Sequence, residues 1–219
     1  MNPAPLSTAS DPSSAADPHE RIRRLKAQPR RPGEASFFWY DTQFRREAVK
    51  VLPGEYAVHG EELLILTVLG SCIACCLWDR HARVGGMNHF MLPDGAGAGG
   101  RYGAFAMEQL INELLKMGAR RGSLEAKVFG GGQVIAGMDT INVGERNTAF
   151  ALEYLRTERI PVASKDVLDV YPRKVAFLPV SGKAMVKRMP ISQSAAVVAD
   201  ERRAAARPAA SAAGTVDLF

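Results

Sequence analysis

Two apolar segments, Ile73–Trp78 and Val84–Met91, flank the short polar stretch Asp79–Arg83, and this pattern constrains the chain more than any other. Each segment has the length and composition of a strand, and the polar stretch between them turns the chain back, so the pair predicts an antiparallel hairpin. Cys72 stands just before the first strand, in Leu69-Gly70-Ser71-Cys72. His89 lies within the second, in Gly85-Gly86-Met87-Asn88-His89-Phe90-Met91-Leu92-Pro93. A register opposing Cys72 to His89 also opposes Asp79 to Ala82, inside the turn. Directly opposed side chains share a face with Cβ atoms about 4.5–5.5 Å apart, and a slip of one residue would separate them. Arg80 and His81 are not the Asn-Gly pair that fixes a tight loop, so the turn residues do not set this register.

A thiol paired with an imidazole matters because the thiolate is the reactive form, and a neighbouring base generates it. Of the four histidines, His89 alone sits in apolar sequence, so Cys72 and His89 are the candidate nucleophile and base. The plainer alternative makes Cys72 a small buried hydrophobe and His89 a hydrogen-bonded structural residue. Cys75 and Cys76 alternate faces of a strand and are read as packing residues. A zinc site drawn from Cys72, Cys75 or Cys76, His81 and His89 lacks the two separated ligand pairs of structural zinc, so no metal is expected. Gly130-Gly131-Gly132 lacks the Lys-Ser/Thr that follows a phosphate loop and reads as a tight turn, so no cofactor is expected either.

The 219 residues, 47% of them hydrophobic, suffice for one domain and its tails. Residues 1–35 are rich in Pro, Ser, Ala and charge and read as a flexible leader. Residues 36–192 form the domain, and 193–219, rich in Ala and Arg, a flexible C-terminal tail. The net charge of +5 owes much to Arg21, Arg23, Arg24, Lys26, Arg30 and Arg31. Without interleaved aromatics these read as a solvated face, not a nucleic-acid site. Three closely spaced cysteines suit a reducing compartment, and neither a signal peptide nor a membrane-length apolar run is evident. A cytoplasmic protein without membrane insertion is expected.

Strand and helix signals alternate between the tails. Strands are expected at Glu62–Leu69, Leu124–Phe129, Ile160–Ala163, Lys174–Val180 and Ala184–Arg188, the last two joined at Ser181-Gly182-Lys183. Helices are expected at Phe105–Met117, through Met107, Leu110, Ile111 and Leu114, and at Asn147–Arg156. The domain is therefore mixed α/β.

In order and spacing, these segments resemble CheD, the chemoreceptor glutamine deamidase family of bacterial chemotaxis. Pro53-Gly54-Glu55-Tyr56, the Cys72 and His89 blocks, Arg101-Tyr102-Gly103 with Ala106-Met107, and Ala126-Lys127-Val128-Phe129-Gly130-Gly131 carry the likeness. Val143-Gly144 with Arg146-Asn147, and Pro172-Arg173-Lys174-Val175, complete it. The resemblance implies an α+β fold, a central β-sandwich of mixed sheets flanked by helices. It implies hydrolysis of receptor glutamine amides to glutamate through a thioester, with Cys72 as nucleophile and His89 as base. Backbone N–H groups at Ser71 and Cys72 would receive the oxyanion. It also implies methyl-accepting chemotaxis receptors as substrate and a CheC-type phosphatase as partner. The family's third catalytic residue, a Thr, matches the place of Leu66 here, with Thr67 one residue later. In a regular strand Thr67 faces the opposite way, so either a bulge brings it round or a backbone carbonyl orients His89. The family's Gly-Gly after the acidic residue matching Asp166 is replaced by Val167-Leu168-Asp169. The competing reading from another class is a non-catalytic receptor- or phosphatase-binding module on the same fold. Cysteine proteases and transferases share the thiolate chemistry, and only the resemblance selects side-chain amides.

Overall fold

Alternation along the central strands sets the layering. The computed structural model describes residues 18–92, 98–134 and 143–205. Strand β4 (Leu64–Leu69) turns Ile65 and Leu69 to one side and Leu64 and Leu66 to the other. Strand β5 (Ile73–Asp79) turns Ala74 and Cys76 inward and Ile73, Cys75 and Leu77 outward. Both strands are thus buried on both faces, and three apolar layers result.

The first sheet orders β1 (Phe37–Asp41), β2 (Arg46–Lys50), β4, β9 (Arg173–Phe177) and β10 (Ala184–Arg188). The second orders β3 (Tyr56–His59), β6 (Val84–Phe90), β5, β7 (Leu124–Gly130) and β8 (Val162–Val167). Both are mixed, with β2–β4 and β7–β8 parallel and the other pairs antiparallel. Phe38, Val49, Ile65, Val175 and Phe177 of the first sheet meet Ala57, Ala74, Cys76, Met87 and Phe129 of the second. Helices α2 (Ala98–Lys116) and α3 (Val143–Thr157) cover the second sheet's outer face through Met107, Leu110, Ile111, Leu114, Ala151 and Leu155. This is the expected α+β sandwich flanked by helices.

The expected hairpin forms, with its register two residues from the expected one. Ala74 pairs with His89 and Asp79 with Val84, so Cys72 lies diagonally from His89 rather than opposite it. An even shift preserves the face, which is why the pair still meets. The cause is the turn: Asp79 Oδ1 accepts the N–H groups of His81 and Ala82, and Arg83 adopts φ 56°, giving a four-residue loop.

Two helices arise in segments read as flexible. Helix α1 (Pro18–Ala27) buries Ile22 and Leu25 against the first sheet's side of the core. Two of its basic residues have acidic partners: Arg21 pairs with Glu47 at 3.2 Å and Arg24 with Glu61 at 3.1 Å. Helix α4 (Ser194–Ala205) buries Ser194, Val197, Val198 and Glu201, one stripe at helical spacing. Its apolar content is too low to announce a helix, and a single stripe of four residues docks it.

Candidate active site

The chain changes sheets at Gly70–Cys72, between β4 and β5, and everything around this junction holds its backbone in place. The Gly70 carbonyl accepts the N–H of Gly132, and that of Cys72 accepts the N–H of Gly131, both at 2.8 Å. The Ser71 carbonyl accepts Nδ2 of Asn147, a fully buried residue of α3, at 2.8 Å. Gly130 stands at φ 109°, and a Cβ there would lie 2.1 Å from the Cys72 carbonyl oxygen. The triple glycine is therefore a tight turn, as expected, and its absent side chains let it lie against the Cys72 backbone. Beyond it, Asp169 accepts the Gln133 N–H, and wholly buried Arg173 binds Asp166 at 2.9 Å and the Leu168 carbonyl at 2.6 Å. Leu168 and Asp169 take φ 64° and 69°, the left-handed region that favours glycine.

With three carbonyls fixed on one side, three N–H groups converge on the other. Gly70 and Cys72 donate to Glu201 Oε1 at 2.7 and 3.2 Å, and Ser71 donates to Oε2 at 3.2 Å. The Ser71 hydroxyl adds a fourth bond, at 3.1 Å. Successive N–H groups curved around one anion form a nest, a cradle of fixed partial positive charge.

His89 projects from β6 into the space between the sheets, on the same face as Met87. Thr67 projects into that space from β4, on the same face as Ile65 and Leu69, while Leu66 faces the outer layer. No bulge is needed. The parity argument applies within one strand, whereas Thr67 and His89 belong to different sheets that face each other. Thr67 Oγ1 stands 2.8 Å from His89 Nδ1 and donates its single proton to the Val51 carbonyl at 2.7 Å. Its oxygen must then accept from His89, which places the ring proton on Nδ1. Nε2 keeps its lone pair, is buried, and has no hydrogen-bond partner among the described residues.

Cys72 Sγ, a ring nitrogen of His89 and a carboxylate oxygen of Glu201 lie within 4.8 Å of one another, all buried. Burial holds His89 down to about 4; the Lys50 charge lowers it further, while Glu201 and the Val51 carbonyl oppose the fall. Burial first, and the Glu201 charge and hydrogen bonding second, push the Cys72 thiol well up. The pair is thus a neutral thiol beside a neutral base. These three residues offer as many ligands as a catalytic zinc takes. The Glu201 oxygens, however, are already saturated by four protein donors, the arrangement of a carboxylate site rather than of a cation's ligand. Beside them opens a cavity of about 350 Å³ lined by Lys50, Leu52, Thr67, His89, Val197 and Glu201 among others.

The structure thus brings together Cys72, His89, Thr67 and the Ser71 and Cys72 N–H groups. Cys75 and Cys76 pack on opposite faces of β5, and His81 sits in the far turn. Asn88 accepts the Cys75 N–H and donates to the Ala106 carbonyl, so its side chain ties strand to helix. Sequence reasoning missed Asn147 and Glu201. A lone Asn in the first turns of an expected helix is a faint signal, and nothing in the Ala- and Arg-rich tail marks Glu201.

Comparison with known proteins points to one family. The family model for CheD chemotactic sensory transduction matches residues 91–188. A protein of Albidiferax ferrireducens named "Probable chemoreceptor glutamine deamidase CheD 1" is 61% identical over 203 residues, covering 91% of this chain and 87% of its own. One of Thiobacillus denitrificans, "Probable chemoreceptor glutamine deamidase CheD", is 51% identical over 84% of this chain and 96% of its own. The solved hypothetical protein YfiH of Bacillus licheniformis overlaps 52% of this chain and 49% of its own at 10% identity and TM-score 0.35, too little to bear on the site. Identity of this extent to the first two relatives, over nearly the whole length of each, means that this chain belongs to the CheD family.

Proposed function

We propose that this protein hydrolyses the side-chain amides of selected glutamines in methyl-accepting chemotaxis receptors, with Cys72 as nucleophile and His89 as base. The observation that carries the reading is the His89 ring, its proton fixed on Nδ1 by Thr67, its Nε2 unpartnered among the described residues, and one of its nitrogens within 4.8 Å of the Cys72 sulfur. Nε2 takes the thiol proton, and the sulfur attacks the carboxamide carbon. The carbonyl oxygen becomes an oxyanion and settles among the N–H groups of Ser71 and Cys72, each such donor being worth about 3–4 kcal/mol. Collapse breaks the C–N bond, and imidazolium gives its proton to the departing ammonia. Water, deprotonated by His89, then cleaves the thioester to release glutamate and restore the thiol. One amide and one water become one carboxylate and one ammonium ion.

The names of the relatives support chemoreceptors as substrate, and the family resemblance supports a CheC-type phosphatase as regulating partner. Among the described residues no helix is long and apolar enough to cross a membrane, which suits action on cytoplasmic receptor segments. Mass spectrometry of receptor cytoplasmic fragments tests the proposal. The wild type is expected to convert specific glutamines to glutamate and Cys72→Ala to convert none. Conversion by Cys72→Ala at the wild-type rate would overturn Cys72 as the nucleophile, and a wild type that converts no glutamine would replace this reading by the binding module.

A further inference from the structure

The cradle of N–H groups is not empty, and its occupant comes from the chain itself. Glu201 reaches it from α4, about 130 residues downstream, and is 3% exposed. Its carboxylate is the chemical product of glutamine deamidation, and it is presented by a helix. Its oxygens bind the N–H groups that, on the mechanism above, hold the oxyanion. Cys72 is 0% exposed and does not line the neighbouring cavity, so no substrate side chain reaches its sulfur while α4 is docked.

We propose that α4 is an intramolecular product mimic: Glu201 fills the carboxylate subsite of the catalytic cradle, and α4 must undock before a receptor glutamine enters. The inference rests on the deamidase reading for the identity of the subsite, and on geometry alone for the occlusion. Docking is built for release. Apart from Glu201, the residues of α4 buried among those described are Ser194, Val197 and Val198, the last two still 7% and 9% exposed. Across the helix, Asp200 and Arg203 pair with each other in solvent. The occupant also keeps the site quiet: its negative charge beside the sulfur disfavours thiolate, and that brake leaves with the helix.

Three full-length variants test this. Glu201→Ala removes the plug, and Val197→Asp places a charge on the buried stripe while leaving Glu201 in place. Both are expected to raise the rate of Cys72 alkylation by iodoacetamide about tenfold or more, the gain from an open state populated at about 10% or less. Cys75 and Cys76 are expected to stay unlabelled. Cys72 alkylation as slow in both variants as in the wild type would overturn the occlusion. The third variant, Glu201→Gln, turns the mimic into a substrate. Thiol attack on its carboxamide expels ammonia, and water returns the residue to glutamate. A gain in peptide mass matching replacement of NH2 by OH is therefore expected at position 201, and none in Cys72→Ala/Glu201→Gln. If the Glu201→Gln carboxamide persists in a chain that still acts on receptor fragments, the product-mimic assignment is overturned. Faster alkylation without conversion of any receptor fragment would sustain the plug and sink the deamidase reading instead.

Discussion

The two ends of β5 each hold a buried carboxylate in the same chemical embrace. At the turn end, Asp79 accepts the N–H groups of His81, Ala82 and Arg120 and the hydroxyl of Ser123. At the other, Glu201 accepts the N–H groups of Gly70, Ser71 and Cys72 and the hydroxyl of Ser71. Three amides and one serine serve each. The difference lies in what stands nearby and how far the carboxylate has travelled. Asp79 closes its own turn, with no reactive group beside it. Glu201 arrives from a distant helix and lies next to a thiol and an imidazole whose Nε2 has no partner among the described residues. The same hydrogen bonding is structural in one place and, on our reading, an occupied catalytic subsite in the other.

The sharpest way to break the comparison is at His89. His89→Ala is expected to lower turnover of receptor fragments by about 10³-fold, the usual scale for losing a general base, while thermal unfolding shows a folded protein. Asp79→Ala should do the reverse. It strands several buried N–H groups, and urea unfolding is expected to show a loss of about 3 kcal/mol without faster Cys72 alkylation.

Thr67 comes next, as a positioning residue. Thr67→Val is expected to cut kcat about tenfold or more with KM little changed, because the ring loses the acceptor that fixes its proton. Thr67→Ser should restore most of the rate. Equal losses in Val and Ser variants would assign Thr67 to packing.

Acid should separate the ends further. Burial raises the Asp79 carboxyl, but Ser123 and the N–H groups of Arg120, Ala82 and His81 outweigh it and bring it down to about 2. A depressed carboxyl contributes stability that is complete above its unfolded value of 3.8 and is lost as pH falls toward 2. His89 behaves differently. Held near 4 when folded against 6.5 when free, it leaves the unfolded chain binding more protons between those values. Stability therefore falls as pH drops from 6.5 to 4, by up to about 1.4 kcal/mol per pH unit for each such histidine. His59, also lowered to about 4 by burial, adds to the slope. Urea midpoints across this range are expected to show it, and His89→Gln to flatten it in part. The smallest effect is expected at Leu168, whose positive φ carries a backbone cost that glycine would relieve. Net of glycine's unfolded-chain entropy, Leu168→Gly should stabilise by less than about 1 kcal/mol.

Much of this was legible in the residues. The β5–β6 hairpin, α2, α3 and the β9–β10 pair follow from period and length, because each buries enough apolar surface to announce itself. Cys72 and His89 were legible for the same reason: the even register shift left their shared face intact. Strands β1 to β3 were not, since Arg46-Glu47-Ala48-Val49-Lys50 and Tyr56–His59 are short and polar-edged and gain their burial from neighbouring strands. Thr67 could not be placed because alternation says nothing about a contact between two sheets. Glu201 was beyond reach for a related reason. Its role is written in three backbone amides, which every sequence possesses and only a folded junction can aim.

The ties on the Gly70 and Ser71 carbonyls have one more consequence. An amide anchored through its oxygen cannot swing its hydrogen away, so the Ser71 and Cys72 N–H groups, which share peptide units with those carbonyls, keep their aim whether or not Glu201 is home. Exchange of guests then asks the helix alone to travel. The arriving amide meets a mould already cast, and little of its binding energy is spent on reshaping the wall.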